Sequence, residues 1–482
     1  MHLSVVLRVI GLLVMVFSIA LIPPIIVSMI YSDETITAFL YAFAINILGG
    51  FLLWFPVRNA RGELKIRDGF LVTVLFWTVL GLFGSVPFYL AELPNLSFTD
   101  ALFESVSGLT TTGATILTGI DDLPKSILFY RQLLNWLGGM GIIVLAVAIM
   151  PMLGIGGMQL YRAETPGPVK DSKLTPRIAE TAKALWLIYA TLTTVCALGY
   201  WIAGMSLFDA ISHSFSTVAI GGFSTHDASI GYFNSVAIEL ICVFFMIVSA
   251  FNFALHFFAW RHRSVWHYLK DPEARFFILV LSSTCILSTL VLALTSTYDW
   301  DTSLRYALFE TVSIATTAGF GTTDFSAWPN FLPFLLIVTS FIGGCAGSTG
   351  GGMKVIRILL ILKQGMREIQ RLIHPSAVIP VKVGGKAVNE RVVSAVWGFF
   401  SAYLLIYIVL MIGLMATGLD QVTSWSAVAA TLNNLGPGLG EVASSFSSIS
   451  DPAKWMLCFA MLLGRLEVFT LLVLFTPMFW QK

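Results

Sequence analysis

The sequence predicts an all-α polytopic membrane protein: two extra N-terminal transmembrane helices, then four repeats, each a span, a short re-entrant helix and a second span, around a pseudo-fourfold axis. Three observations lead there. The chain has 482 residues, of which 57% are hydrophobic and only 11% charged, a balance that would leave a soluble protein covered in apolar patches. Apolar stretches of about 20 residues, enough to cross about 30 Å of hydrocarbon as a helix, recur from end to end. One short pattern also returns four times at near-regular intervals, the mark of a repeat architecture.

Full spans are predicted at roughly 3–30, 36–57, 69–92, 126–160, 180–204, 232–260, 274–297, 331–363, 392–417 and 453–480, about ten crossings. The first is too long for the apolar region of a signal peptide and has no small-x-small cleavage site, so it reads as a retained span, kinked at Pro23-Pro24. Shorter apolar segments at about 98–112, 206–221, 303–318 and 423–435 cannot span and run directly into helix breakers, so they read as re-entrant helices. Cys196, Cys242, Cys285, Cys345 and Cys458 fall inside apolar stretches without a C-x-x-C spacing and read as packing residues.

Basic residues set the orientation. Arg58, Arg61, Lys65 and Arg67 share one loop, Arg162, Lys170, Lys173, Arg177 and Lys183 the next alternate one. Arg261, Arg263, Lys270 and Arg275 follow, then Lys363, Arg367, Arg371, Lys382, Lys386 and Arg391. These loops lie on one face, expected to be cytoplasmic. The opposite face has few basic residues beyond Lys125, Arg131, Arg305 and Lys454, and carries Asp121, Asp122, Asp227, Asp299, Asp301, Asp324, Glu441 and Asp451. An acidic mouth raises the local cation concentration, although any one of these is more simply a solvated loop charge. Net charge is +1, so no basic field points to nucleic acid.

The repeat is explicit. Ala101-Leu-Phe-Glu-Ser-Val-Ser107 and Ala307-Leu-Phe-Glu-Thr-Val-Ser313 differ only at Ser105 against Thr311. In register, Thr110-Thr-Thr-Gly113 meets Thr316-Thr-Ala-Gly319. Asp209-Ala-Ile-Ser-His-Ser-Phe-Ser216 with Ala219-Ile-Gly-Gly222 is a third copy, and Val428-Ala-Ala-Thr-Leu432 with Asn433-Asn-Leu-Gly436 a weaker fourth. By subtraction of positions, the glycines at 113, 222, 319 and 436 are 109, 97 and 117 residues apart. Two full crossings per unit make every unit enter the membrane the same way round, so four parallel copies can surround one axis. An inverted repeat needs an odd number of crossings.

An ion leaving water must recover its hydration from oxygens in a wall. Backbone carbonyls supply them where an extended chain faces an axis, and glycine permits the dihedrals required. Non-helical backbone at membrane depth is tolerated where it is buried or lines a water-filled path, and a re-entrant helix aims its partially negative C-terminus at that path. The candidate filter is Thr111, Thr112 and Gly113; Ile220, Gly221 and Gly222; Thr317, Ala318 and Gly319; and Asn434, Leu435 and Gly436. Two registers stay open. Gly221-Gly222 can slip by one, and the fourth glycine is Gly436 or Gly438.

At these residues the chain resembles the Trk/Ktr/HKT superfamily of potassium transporters. The motifs are Thr110-Thr-Thr-Gly-Ala-Thr115, Ala315-Thr-Thr-Ala-Gly-Phe-Gly321 and Gly343-Gly-Cys-Ala-Gly-Ser-Thr-Gly-Gly-Gly352, and the two extra N-terminal helices look like those of its bacterial Trk members. The resemblance covers essentially the whole chain. It implies four membrane–pore–membrane repeats around a potassium-selective pore in the bacterial inner membrane. Potassium is then the cargo, bound at the filter residues, with no organic cofactor in this chain. It also implies a homodimer in the lipid bilayer and a cytoplasmic nucleotide-binding regulatory subunit (TrkA-like). The units expected are 1–68 for the extension, then 69–178, 179–272, 273–390 and 391–482 for the repeats.

The span 331–363 is interrupted by Gly343, Gly344, Gly347, Gly350, Gly351 and Gly352. Each glycine costs a helix about 1 kcal/mol relative to alanine, so this stretch should unwind into a loop, with Ser348 and Thr349 bonding the freed backbone. The functional reading is a gate beneath the filter; the bland one is close helix packing through small residues. Arg465 sits in the last span near Glu467, and an ionisable group at that depth is a functional candidate. It either competes with a cation in the path or is neutralised by Glu467 or by carbonyls. Glu104, His213 and Glu310 occupy equivalent places on three re-entrant helices and most simply brace the turns that follow.

The rival to a dissipative pore is a proton- or sodium-coupled secondary transporter, which needs titratable groups along the path. Beyond Arg465, Glu467 and the re-entrant residues, the spans offer little except Asn252 and His256. No paired aspartate motif, H-E-x-x-H, G-x-S-x-G or P-loop occurs, so an enzyme is not expected and nucleotide control would come through a partner. The basic loops at about 160–183, 260–275 and 363–391 are the natural docking surface, although positive-inside topology alone accounts for them.

Overall fold

The computed structural model describes residues 2–144 and 178–481, apart from 61, 63 and 330. The basic residues Arg61, Arg162, Lys170, Lys173 and Arg177, and the end of the span expected at 126–160, lie outside the described residues.

Helix follows the apolar pattern. The extension contains α1 (Leu3–Ser18), α2 (Ile22–Tyr31) and α3 (Ile36–Trp54). A short 3-10 turn, Ile19–Leu21, separates α1 from α2, just before the proline pair whose rings cannot join a continuous hydrogen-bond ladder. α1 and α3 pack closely because Gly11 and Gly50 face each other: a methyl group on Gly11 would sit 2.7 Å from the Gly50 carbonyl oxygen.

The first repeat holds α4 (Ile66–Gly84), α5 (Val86–Leu90), the re-entrant α6 (Phe98–Leu109) and α7 (Lys125–Val144). The second holds α8 (Ile178–Ile202), re-entrant α9 (Leu207–Ala219), then α10 (Val236–Ala250) and α11 (Phe253–His262). After the short α12 (Trp266–Lys270), the third holds α13 (Pro272–Leu294), re-entrant α14 (Trp300–Ala315), α15 (Leu332–Ser340) and α16 (Val355–Ile373). The fourth holds α17 (Glu390–Ala416), re-entrant α18 (Gln421–Leu432), α19 (Asp451–Arg465), α20 (Phe469–Leu472) and α21 (Pro477–Trp480). A small hairpin, β1 (Lys382–Val383) against β2 (Lys386–Ala387), projects from the basic face between α16 and α17.

Among the described residues, six helices are long and apolar enough to cross a membrane. The span Arg67–Leu90 is 61% buried, whereas Ile36–Val57, Lys183–Ile202 and Glu390–Ala416 are each 28% buried. The first therefore sits inside the bundle, and the other three present apolar faces of the kind lipid covers. The expected straight spans 232–260 and 453–480 are not straight. α10 and α11 meet at 96°, and α19 turns through 108° into the segment that follows. In the third repeat the break is the glycine stretch between α15 and α16, as its composition predicts. α7 carries a non-helical Gly141 at φ 57°. Among the described residues, each run of helix after a re-entrant helix is thus interrupted.

The basic residues of the acidic face are largely consumed inside the bundle. Arg131 pairs with Glu104 at 2.7 Å, Arg305 with Glu239 at 2.6 Å and Lys454 with Asp100 at 2.6 Å. Taking these cations out of solution leaves the acidic side chains to dominate that face. All five cysteines are buried and unbridged, as packing residues should be.

Candidate functional site: a ring of four turns

Each re-entrant helix ends in the same way. Thr112 N–H donates to Ser107 O at 2.9 Å, Gly221 to Ser216 at 2.9 Å, Ala318 to Ser313 at 2.8 Å and Leu435 to Ala430 at 2.7 Å. The preceding residues Thr111, Ile220, Thr317 and Asn434 donate three positions back, to Gly108, Thr217, Ile314 and Thr431. This pair of bonds is a Schellman cap, whose pivotal residue adopts the left-handed conformation. That residue is usually glycine; here the pivots have φ of 55°, 56°, 70° and 55°, three of them β-branched. Glycine comes two places later, where Gly113, Gly222, Gly319 and Gly436 hold φ of 78°, 73°, 79° and 100°.

These glycines close a ring. A methyl group on Gly113 would collide with the Gly221 carbonyl, one on Gly222 with that of Ala318, and one on Gly319 with that of Leu435. One on Gly436 would meet the Thr112 carbonyl at 2.8 Å. Each contact joins a repeat to the next, and the last returns to the first. The ring closes on Gly222 and Gly436, not on Gly221 and Gly438. A side-chain bond seals the joint between ends of the chain: Asn434 Nδ2 donates to Thr112 Oγ1 at 2.9 Å and to Met461 O at 3.0 Å. Thr111, Thr112, Ile220, Gly221, Thr317, Ala318, Asn434 and Leu435 are all buried or nearly so.

On one side of the ring opens a cavity of about 610 Å³, lined by the four glycines, by Thr115, His226, Asp227, Glu310 and Asp324, and by the irregular segments that follow each turn. The bracing expected of the equivalent polar residues is present. Thr115 Oγ1 and the Ile116 N–H donate to Glu104 at 3.0 and 3.1 Å, and Arg131 Nε donates to the same carboxylate at 2.7 Å. His213 Nε2 lies 2.9 Å from Ser224 Oγ. Glu310 Oε1 accepts from Thr322 N at 2.8 Å and Oγ1 at 3.0 Å, and from Thr323 N at 3.3 Å. Ala427 occupies that place in the fourth repeat; the neighbouring Ser426 Oγ accepts from Leu439 N at 2.8 Å instead.

Against the other side lies the glycine stretch. Gly351 N–H donates to Thr317 Oγ1 at 2.7 Å, and Gly352 N–H to Asn433 O at 3.0 Å. Thr349 Oγ1 donates to Val218 O at 3.0 Å. A methyl group on Gly350 would sit 2.9 Å from Thr316 O. The loop thus touches the C-termini of three re-entrant helices. Gly343, Gly347 and Gly352 hold φ of 68°, 76° and 72°, Gly344 N–H donates to Gly351 O at 3.4 Å, and Ser348 Oγ bonds Cys345 O at 2.6 Å. The fold of the loop therefore depends on glycine. Arg465 closes the circle from the fourth repeat. It donates to Thr349 O at 3.4 Å, to Gly139 O at 3.3 Å and to Gly138 O. Of the two neutralising arrangements expected for it, the carbonyls are realised. Glu467 bonds Arg357 at 2.5 Å, at the start of α16.

The comparisons with known proteins agree with this geometry. Residues 35–482 match the TrkH family, described as cation transport protein. The chain belongs to the TrkH family. It is 63% identical, over the full length of both chains, to the Trk system potassium uptake protein TrkH of Halomonas elongata. It is 42% identical to the Trk system potassium uptake protein TrkG of Escherichia coli, across 100% of this chain and 99% of that one. The crystal structure of the potassium transporter TrkH from Vibrio parahaemolyticus superposes with a TM-score of 0.91 at 57% identity, covering both chains completely. The TrkH-family chain is thus a multi-pass bacterial inner-membrane protein of a transport family, as expected from its spans and basic loops.

Proposed function

We propose that this protein lets potassium ions enter the cell through the ring of four turns, dissipatively, under the control of the loop 343–352. The observation that carries the reading is the closed ring, in which four glycines bring four backbone segments around one axis at membrane depth. Such backbone is tolerated where it lines a path, and four sets of carbonyls offer a dehydrating cation its replacement shell. The C-termini of α6, α9, α14 and α18 add partial negative charge toward the same axis. Thr111, Thr112 and Gly113, with their counterparts in the other repeats, are the potassium-binding residues in this reading. The 63%-identical relative is named for potassium uptake, which supports the choice of ion.

In this reading the gate is the loop held by Thr317, Asn433 and Val218 and pinned by Arg465, and it obstructs the path until it moves. Relatives named as parts of a Trk system support a multi-component assembly. We assign this chain to a homodimer, controlled by a cytoplasmic nucleotide-binding subunit that docks on the basic face. The units 1–68, 69–178, 179–272, 273–390 and 391–482 are then one extension and four pore repeats, with the filter turns at their centres.

The test is ion flux into sealed proteoliposomes containing only this protein. Potassium and rubidium should enter well ahead of sodium and lithium. Gly113→Ser should lower that preference by about tenfold, since its side chain displaces a filter carbonyl and the loss of one coordinating group costs on the order of 1–3 kcal/mol. Flux that ignores ion identity, or selectivity unaltered in Gly113→Ser, would overturn the reading.

A further inference from the structure

The four positions nine residues before the filter glycines are Glu104, His213, Glu310 and Ala427. They sit in equivalent places yet carry unequal charge. Glu104 is matched by Arg131, both fully buried. His213 bonds Asp209 O and Ser224. Ala427 is neutral. Glu310 differs: its Oε1 accepts three hydrogen bonds, while its buried Oε2 has no partner among the described residues. Arg305, on the same helix, is held by both oxygens of Glu239. Glu310 is thus a buried carboxylate without a cationic partner among the described residues, and it borders the cavity over the ring.

An uncompensated charge taken out of water is costly, and a counter-charge nearby relieves the cost. Among the described residues that counter-charge is present for Glu104 but not for Glu310. Resting on the pore reading above, we propose that the entering cation supplies it, so that Glu310 sets the affinity of the mouth for potassium. Glu310 is fully buried, so it acts on the ion through its field and not by coordination. In a cleft with low-dielectric walls such a field raises the local cation concentration by about 10-fold or more. The asymmetry has a use. A mouth with four such carboxylates would hold the ion too firmly, and conduction needs binding weak enough to release it.

Glu310→Gln separates charge from bracing, because the amide oxygen still accepts from Thr322 and Thr323. In proteoliposomes, the potassium concentration giving half-maximal rubidium or potassium flux should rise about tenfold, with maximal flux within about twofold of wild type. Thr322→Val removes one bracing bond and no charge, and should leave half-saturation where it is. Unchanged half-saturation in Glu310→Gln, or an equal rise in Thr322→Val, overturns the proposal. Should Glu310→Gln fail to assemble, Glu310→Asp keeps the charge: half-saturation near wild type supports the proposal, and a rise like that of a neutral residue overturns it. Wild-type vesicles without saturable potassium flux would instead defeat the pore reading itself.

Discussion

Thr111, Ile220 and Thr317 hold a backbone conformation that β-branched side chains resist, at φ of 55°, 56° and 70°. Each such residue costs about 1–3 kcal/mol and persists only where its surroundings over-determine it. Here the Schellman bonds, the buried helix and the neighbouring repeat do so. Glycine would relieve the strain but would also free the turn to sample other conformations. At the mouth, His226 makes a second kind of residue-scale constraint. It bonds Asp121 of the first repeat, lies 3.4 Å from Asp209 of the second without hydrogen-bond geometry, and stacks on Tyr232 at 3.5 Å. Burial alone pulls the His226 pKa down, but Asp209 and Asp121 outweigh it and hold the pKa above its ordinary value. Burial likewise raises the Asp121 carboxyl, and its bond and charge interaction with His226 together with hydrogen bonds from Asp227 more than reverse that. A raised histidine stabilises the fold fully below its unfolded pKa of about 6.5 and loses that contribution as pH climbs through the folded value. A lowered aspartate contributes above its unfolded pKa and loses that contribution as pH falls through the lowered one. The clamp is therefore tightest at mildly acidic pH. His226→Gln should lower the melting temperature of the detergent-solubilised protein at pH 6 and change it much less at pH 9. An equal loss at both values would show that only packing on Tyr232 is at stake.

At the scale of elements, helices were largely legible and their breaks were not. The sequence places the re-entrant helices at about 98–112, 206–221, 303–318 and 423–435, and they are Phe98–Leu109, Leu207–Ala219, Trp300–Ala315 and Gln421–Leu432. The glycine run announced the break in the third repeat. The bends at Phe251–Asn252 and Leu466–Val468 carry neither glycine nor proline, so composition gives no warning. Partners distant in sequence hold them: Phe253 N–H donates to Gly347 O at 3.0 Å and Glu467, at φ 51°, is held by Arg357, with a local cap from Asn252 Oδ1 to Ala254 N–H at 2.9 Å. The Asn434–Thr112 bond spans 322 residues, and nothing local in either turn predicts it. These contacts tie the breaks to the loop, so the loop moves at their expense. Charge-assisted hydrogen bonds contribute about 1.5–3 kcal/mol. Removing those of Arg465 to Thr349, Gly138 and Gly139 should favour the open arrangement and relieve competition with the cation. Arg465→Gln is expected to raise potassium flux by about tenfold or more in well-folded protein. Equal flux in the two would leave the arginine a packing residue.

Over the whole molecule, parity favours the pore proposed above over a rocking carrier. On the sequence reading each repeat contributes two crossings and one re-entrant helix, so the four enter the membrane in the same sense, and the four turns meet in one ring. In the proposed pore the moving parts are the loop against the ring and the broken helices that hold it. Among the described residues a break interrupts the helices after each re-entrant helix, and the glycine stretch 343–352 lies against the ring, which suits the gate proposed above. Coupling to protons would instead need a titratable group that loads with the ion on one side and unloads on the other. Two charged pairs are held within the bundle, Glu104–Arg131 and Arg357–Glu467, and Glu310 is fixed by three hydrogen bonds from Thr322 and Thr323. The reversal potential of the current should therefore follow the potassium gradient alone, by about 59 mV for each tenfold change, and hold still when a pH gradient is imposed at fixed potassium. A displacement with the pH gradient would mean that a proton travels with the ion, and Glu310 would then be the first residue to suspect as its carrier.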